Sequence, residues 1–231
     1  MNAGSPNKSN KYPLAYQTGV QDFYGRDFIV SPDVLIPRPE TEQIIDAILN
    51  LTGKPYLAGI QPSPARINPE HLKILDVGTG SGCIAITLKL EIPEADIVAS
   101  DISQKAIKIA QKNAAKHGIT IPIIISDLLE KVKYTPDLVV ANLPYVDQKW
   151  TWLDKEALSY EPEVALYADN HGLQLIYDLI DQCRTRNVPY LVLEADPSQH
   201  QSIVDYASKH NYQLIETRGY ILTLYTPQAS H

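Results

Sequence analysis

Apolar residues fall along this chain in two alternating rhythms. Short runs at Lys73 to Val77, Asp96 to Ser100, Ile121 to Ser126, Asp137 to Ala141 and Tyr190 to Glu194 are β-branched or leucine-rich. Such runs predict buried strands. Between and after them lie longer stretches with helical spacing: Cys83 to Leu90, Ser103 to His117, Gly172 to Arg184 and Pro197 to His210. Ser103 is the expected N-cap of its helix, Ile107 and Ala110 its inner face, and Gly118 lies beyond its end. Tyr212 to Glu216 and Tyr220 to Tyr225 close the chain as two antiparallel strands. Strands alternating with helices of these lengths make βαβ units, hence an α/β fold around a mostly parallel sheet of seven strands.

The front of the chain follows another pattern. Residues 12–38 are turn-rich and aromatic, and Gly19 and Gly25 punctuate short extended pieces at Gln21 to Tyr24 and Asp27 to Val30, which predicts a hairpin. Pro39 then opens a first helical turn containing Glu40 and Glu42. Ile44, Ile45, Ile48 and Leu49 follow at amphipathic spacing, and the helix is expected to end near Gly53. Residues 54–69 carry four prolines and read as an exposed connection, and the small polar residues 1–11 as a disordered lead.

With 44% hydrophobic and 20% charged residues, the 231-residue chain has the makeup of an ordinary globular protein. No apolar run approaches the ~20 residues that span a bilayer, and the first residues contain no apolar signal core. Cys83 and Cys183 are far apart and no C-x-x-C occurs, which speaks against a disulfide framework or a zinc site and fits a reducing cytoplasm. A formal charge of −7 makes direct nucleic-acid binding unfavourable, since that affinity rests largely on cationic contacts to phosphate.

Two stretches carry candidate chemistry. Asp76, Gly78, Thr79, Gly80, Ser81 and Gly82 form an alternating D-x-G-x-G-x-G loop between a strand and a helix. Glycines there permit positive φ and close backbone approach. The dinucleotide fingerprint G-x-G-x-x-G is absent, because Cys83 stands where its third Gly belongs. The alternating form resembles the cofactor loop of S-adenosylmethionine-dependent methyltransferases. Asp101, closing the next strand, is spaced as a carboxylate for ribose hydroxyls. Asp127 closes the third strand, where it could accept from an adenine amino group while Leu128 covers the ring. The bland reading of such Asp residues is helix capping.

The second stretch is Asn142-Leu143-Pro144-Tyr145, at the carboxyl end of an apolar strand, where open α/β sheets place ligands. Pro144 constrains the loop, so the Asn142 side-chain oxygen and the Leu143 carbonyl become two fixed acceptors with Tyr145 as a flat face beside them. This suits a planar group carrying an NH2, either a carboxamide or an adenine amino group. No histidine lies near the motif in sequence. His117 and His171 read as surface residues, whereas Trp150 and Trp152 could equally line a substrate mouth or fill core. Arg38 and Glu40 could brace a cofactor cleft or cap the first long helix, and the capping, structural role is the one expected.

The motifs together resemble the glutamine N(5)-methyltransferases of the HemK/PrmC type. Beyond the loop and the Asn142 motif, the resemblance rests on residues 13–19 (PLAYQTG), Phe23 and Tyr24, and Val34 to Glu42 with its P-R-P-x-T-E signature. Tyr160-Glu161-Pro162, Ala165-Leu166 and Gly172-Leu173 extend it, so that it covers about residues 12–216. It implies a class I S-adenosylmethionine-dependent methyltransferase fold, Rossmann-like, with an N-terminal β-hairpin extension over 12–38 and a catalytic domain over 39–231. It implies S-adenosylmethionine as cofactor, no metal, and the Gly-Gly-Gln loop of a peptide chain release factor as substrate, for a monomer in the cytoplasm. By the resemblance Gly78 to Gly82, Asp101, Leu128 and Asn142 hold the cofactor, and Asn142, Leu143, Pro144 and Tyr145 the substrate glutamine.

The chain departs from that pattern in three places. Leu143 stands where the family usually has Pro, and N-[IL]-P-Y is also typical of rRNA adenine dimethyltransferases. A short polar lead precedes the hairpin where relatives usually carry a helical domain. The final strand lacks the usual charged run before it. An adenine methyltransferase and a cofactor-binding protein with reduced catalysis are therefore the alternative readings.

Overall fold

The computed structural model describes residues 12–54 and 66–227. The expected polar lead and most of the proline-rich connection lie outside them. At the front a short helix, α1 (Leu14–Thr18), ends on Gly19 and leads into the hairpin of β1 (Val20–Phe23) and β2 (Arg26–Ile29), paired antiparallel from Val20↔Ile29 to Phe23↔Arg26. The hairpin is the expected one, displaced by a residue. Helix α1 left no mark in the sequence pattern because one helical turn is too short to show a period. A 3-10 turn over Pro39–Thr41 then opens α2 (Glu42–Leu51), which buries Ile44, Ile45 and Ile48.

The alternating region follows as β3 (Lys73–Val77), α3 (Cys83–Glu91), β4 (Asp96–Asp101), α4 (Gln104–Lys116), β5 (Ile123–Ile125) and β6 (Leu138–Ala141). A helical turn α5 (Lys155–Leu158) and a left-handed turn α6 (Asp169–Gly172) lead to α7 (Gln174–Thr185), β7 (Tyr190–Glu194), α8 (His200–Lys209), β8 (Gln213–Arg218) and β9 (Ile221–Tyr225). These strands form one seven-stranded sheet in the order β5-β4-β3-β6-β7-β9-β8, parallel except for β9, which runs antiparallel to both neighbours. Helix α7 begins two residues later than its periodicity predicts. Asn170 and His171 hold φ of 54° and 57° and Gly172 holds 81°, a backbone that cannot continue into a right-handed helix.

Two apolar cores sandwich the sheet. Ile74 and Val140 point to the face covered by α2 and α3, packing with Ile44, Ile48 and Leu88. Leu75 and Val139 point to the other face, with Ile176 and Ile180 of α7 and Ile203 of α8. Alternate residues bury on opposite faces, which is why the central strands read as unbroken apolar runs. No helix among the described residues is long and apolar enough to cross a membrane.

One buried polar residue joins the hairpin to the sheet. Asn113 of α4 accepts from the Ile29 N–H at 2.7 Å and donates to the carbonyls of Ile29 at 2.9 Å and Ser81 at 2.8 Å. Replacing it by Leu strands three backbone groups away from water. Asn113→Leu is expected to cost about 2–4 kcal/mol of stability. Urea denaturation reads this directly, and a loss below ~0.5 kcal/mol, the range of an ordinary surface change, would make the anchor dispensable.

Candidate active site

The parallel register aligns Ser100, Val77, Ala141 and Leu193 across four strands. The next residue of each strand is Asp101, Gly78, Asn142 and Glu194, so four residues from distant parts of the chain emerge side by side at the carboxyl edge of the sheet. Above this edge the backbone turns into loops, and two adjoining cavities open.

The first cavity, of about 230 Å3, is floored by the Gly-rich loop and walled by Asp101, Leu128, Asn142 and Leu143. Gly78 holds φ of 73°, and a Cβ there would come within 3.0 Å of Leu143 Cδ2, so the loop and the Asn142 motif are in direct contact. Asp101 ties the loop to α4: one carboxylate oxygen accepts from the Gly80 N–H at 2.9 Å and the other from the Ser103 N–H at 2.8 Å. With about four acceptor sites in all, the carboxylate keeps acceptor capacity for a ligand hydroxyl. Ser103 is the N-cap, its Oγ accepting from the Ala106 N–H. Asp127 is exposed at the cavity wall and Leu128 is buried beside it.

Asp76 is placed differently from its neighbours in the motif. It is fully buried beneath the loop, where one oxygen accepts from the Thr79 hydroxyl at 2.6 Å and the Ala85 N–H at 3.2 Å. It does not line the cavity. Asp76 instead braces the loop from beneath, its strand position pointing the side chain down toward the start of α3.

A roof closes the first cavity. Residues 33–41 and 162–165 both line it, and the Arg38 guanidinium pairs with Glu161, whose other oxygen accepts from the Ile36 N–H at 3.1 Å. Arg38 thus braces the two segments that line the cavity, and its side chain makes no capping bond to the helix that follows.

The second cavity, of about 270 Å3, shares Leu35, Asn142, Leu143 and Ala165 with the first and adds Tyr145, Glu194, Trp150 and Tyr220. The two cavities meet at Asn142-Leu143. Asn142 Nδ2 donates to Thr41 Oγ1 at 3.0 Å, and the Tyr145 hydroxyl donates to Glu194 Oε1 at 3.2 Å. Pro144 lines the first cavity only. Beyond the motif, Gln199 Nε2 donates to the Tyr145 carbonyl at 2.8 Å and to the His171 carbonyl at 2.9 Å. Gly172 packs so closely here that a Cβ would lie 2.0 Å from the Tyr145 carbonyl oxygen.

Trp150 and Trp152 stack at 5.0 Å and both line the second cavity, Trp152 at 67% exposure, so neither fills the core. His117 lies against Phe28, and His171 pairs with Asp147 at 2.9 Å on the surface. Neither lines a cavity with Asn142. Thr41 and Glu194 are the site residues that sequence reading missed. The available signal was a polar residue closing an apolar strand, the feature that drew attention to Asn142 and Asp101 and is equally present at Glu194.

Comparison with known proteins places this arrangement. The Methyltransferase small domain profile matches residues 65–156. A release factor glutamine methyltransferase of Flavobacterium psychrophilum is 35% identical over 207 residues, covering 87% of this chain and 69% of that protein. The chain belongs to the release factor glutamine methyltransferase family. A bifunctional methyltransferase of Rickettsia conorii is 36% identical over 220 residues, 87% of this chain but 42% of that protein, so the chain spans less than half the length of this relative. A ribosomal protein L11 methylase of Lactobacillus delbrueckii, 23% identical, superposes with a TM-score of 0.53 over 81% of this chain and 78% of its own, which shows the shared fold.

Burial pushes both buried carboxyls of the site up to about 7: Asp76 against the hydrogen bonds from Thr79 and Ala85, and Glu194 against the polar side chains of Thr41, Tyr145 and Asn142. A carboxyl whose pKa is higher in the folded chain than in the unfolded one favours folding when protonated. Its contribution is fully present below about pH 4 and is lost as pH rises through about 7. Thermal denaturation across that window is expected to show a shallower decline in the Asp76→Asn, Glu194→Gln double variant than in the wild type. Identical slopes would mean that both groups titrate in the ordinary carboxylate range.

Proposed function

We propose that this chain transfers a methyl group from S-adenosylmethionine to the side-chain amide nitrogen of a glutamine in the Gly-Gly-Gln loop of a peptide chain release factor. The observation that carries the reading is the junction of the two cavities at Asn142-Leu143. One cavity has the features a nucleoside-bearing cofactor needs: a Gly-rich floor, a carboxylate with free acceptor sites at Asp101, and an apolar wall at Leu128. The other is partly aromatic, with Tyr145, Trp150, Trp152 and Tyr220 in its wall, and includes the same Asn142 and Leu143.

The cofactor supplies an electrophilic methyl group on a sulfonium. An amide nitrogen is a poor nucleophile because its lone pair is delocalised into the carbonyl. The Asn142 side-chain oxygen and the Leu143 carbonyl accept from its two N–H groups and aim the nitrogen across the junction; as the N–C bond forms, the S–C bond breaks, the neutral thioether leaves and one N–H proton passes to water. Positioning and fixed dipoles of this kind lower a barrier without a strong base, in keeping with the absence of histidine among the described residues that line the two cavities. Leu143 serves as well as Pro for this purpose, since the acceptor is backbone. In this reading Gly78, Thr79, Gly80, Ser81, Gly82, Asp101, Asp127 and Leu128 hold the cofactor, Asp76 holds the loop, and Pro144 and Tyr145 shape the glutamine site. A cytoplasmic setting suits a release factor substrate and the two buried free cysteines.

Methyl transfer from labelled S-adenosylmethionine, with purified release factor and total RNA offered side by side, tests the assignment. Label is expected on the glutamine of the release factor loop; label on RNA alone would instead favour an adenine amino group. Asn142→Ala is expected to abolish transfer while leaving cofactor affinity within about tenfold, and full activity in that variant would contradict the mechanism. Asp101→Ala is expected to weaken cofactor binding by calorimetry.

A further inference from the structure

An asparagine amide presents oxygen on one side and nitrogen on the other, and the mechanism above works only with the oxygen toward the glutamine. The direction must be imposed by what lies behind the side chain. Behind Asn142 lie two residues of different segments: Thr41, buried at the junction between the 3-10 turn and α2, and Glu194 at the end of β7. Asn142 Nδ2 donates to Thr41 Oγ1 at 3.0 Å. Glu194 is buried at 1% exposure and accepts from the Tyr145 hydroxyl through Oε1, while Oε2 makes no hydrogen bond. Thr41 and Asn142 both present polar groups to this carboxyl and favour its charged form.

We propose that Thr41 and Glu194 are positioning residues that hold the Asn142 amide with its nitrogen inward and its oxygen toward the substrate glutamine. The inference rests on the glutamine reading above. Its logic is acceptor counting. A carboxylate carries no proton to donate, so the side of Asn142 that faces it must be the NH2. A hydroxyl has one proton; because Thr41 Oγ1 accepts from Asn142 Nδ2, that proton is left to turn toward the Glu194 carboxylate, whose charge favours it. Protonating Glu194 removes the constraint, because the carboxyl can then donate to Thr41, Thr41 to Asn142, and the amide can turn. The other ionisable groups around this carboxyl are Glu40, whose charge disfavours a second anion, the Tyr145 hydroxyl, and Arg38, Asp196 and Tyr220 lining the same cavity.

The test uses Thr41→Val, which keeps the shape and removes the hydroxyl, Thr41→Ser, which restores it, and Glu194→Gln, with two readouts. In NMR of protein labelled on asparagine nitrogen, the Asn142 side-chain NH2, assigned by its loss in Asn142→Ala, is expected to be protected from solvent exchange in the wild type and Thr41→Ser and exposed in Thr41→Val. In the transfer assay Thr41→Val is expected to lower kcat about tenfold to a hundredfold, a larger change than any in cofactor affinity read by calorimetry, because Thr41 also lines the first cavity, and Thr41→Ser is expected to recover most of the loss. The wild-type kcat is expected to fall on the acid side, and Glu194→Gln to be slow and flat across the same range. Wild-type kcat in Thr41→Val, or an Asn142 NH2 equally protected in that variant, would overturn the proposal. If the wild type transfers to no glutamine peptide, the functional reading fails, while the exchange experiment still decides the orientation of Asn142.

Discussion

The register of the central parallel strands is the constraint on which the site depends. Hydrogen bonds between β4, β3, β6 and β7 place Ser100, Val77, Ala141 and Leu193 in one row, so Asp101, Gly78, Asn142 and Glu194 leave the sheet together. A slip of one residue in any strand would turn its buried side chains to the opposite face and carry its site residue with them. The register is in turn held by two apolar cores that take alternate residues of every strand, Ile74 and Val140 on one side and Leu75 and Val139 on the other. Packing therefore sets the chemistry: the distances between acceptors follow from strand spacing rather than from flexible loops.

Around that edge the chain accepts unfavourable burial in return for fixed geometry. Asp76 is wholly buried with one oxygen unbonded, and Glu194 is in the same state on the other side of the Asn142 motif. Both carboxyls would cost less if exposed. Asp76 holds the Gly-rich loop through Thr79 and the first turn of α3 through Ala85. The roof follows the same logic: Arg38 and Glu161 form an ion pair with one partner almost inaccessible. Such a pair contributes little over an apolar substitute, but losing one partner is costly, so it enforces contact between residues 33–41 and 162–165.

Much of this was legible from residue order. Strands β3 and β7 appeared with their observed bounds, because a strand buried on both faces reads as a nearly continuous apolar run, here interrupted only by Asp76 and closed by Glu194. The N-cap at Ser103 and the strand-closing Asp101 and Asn142 were equally plain. What the sequence could not show was convergence. Thr41 and Asn142 are 101 positions apart, and their hydrogen bond depends on how α2 packs against the sheet. Asp76 reads as part of the cofactor motif, and only the direction of its side chain reveals a brace. The α6 turn escaped notice because its left-handed residues are Asn and His beside Gly172, and its purpose, close packing under the Tyr145 carbonyl, is tertiary. The paired tryptophans stand at the second cavity, a position that periodicity could not distinguish from core.

A crystal structure of the chain with S-adenosylhomocysteine and a peptide carrying the Gly-Gly-Gln sequence tests the central claim most directly. The account predicts the peptide's glutamine nitrogen within hydrogen-bond distance of both the Asn142 side-chain oxygen and the Leu143 carbonyl, its aliphatic stem against Tyr145, and the nitrogen facing the cofactor's sulfur across the junction. A glutamine bound elsewhere, or one whose carbonyl rather than nitrogen meets Asn142, would contradict it.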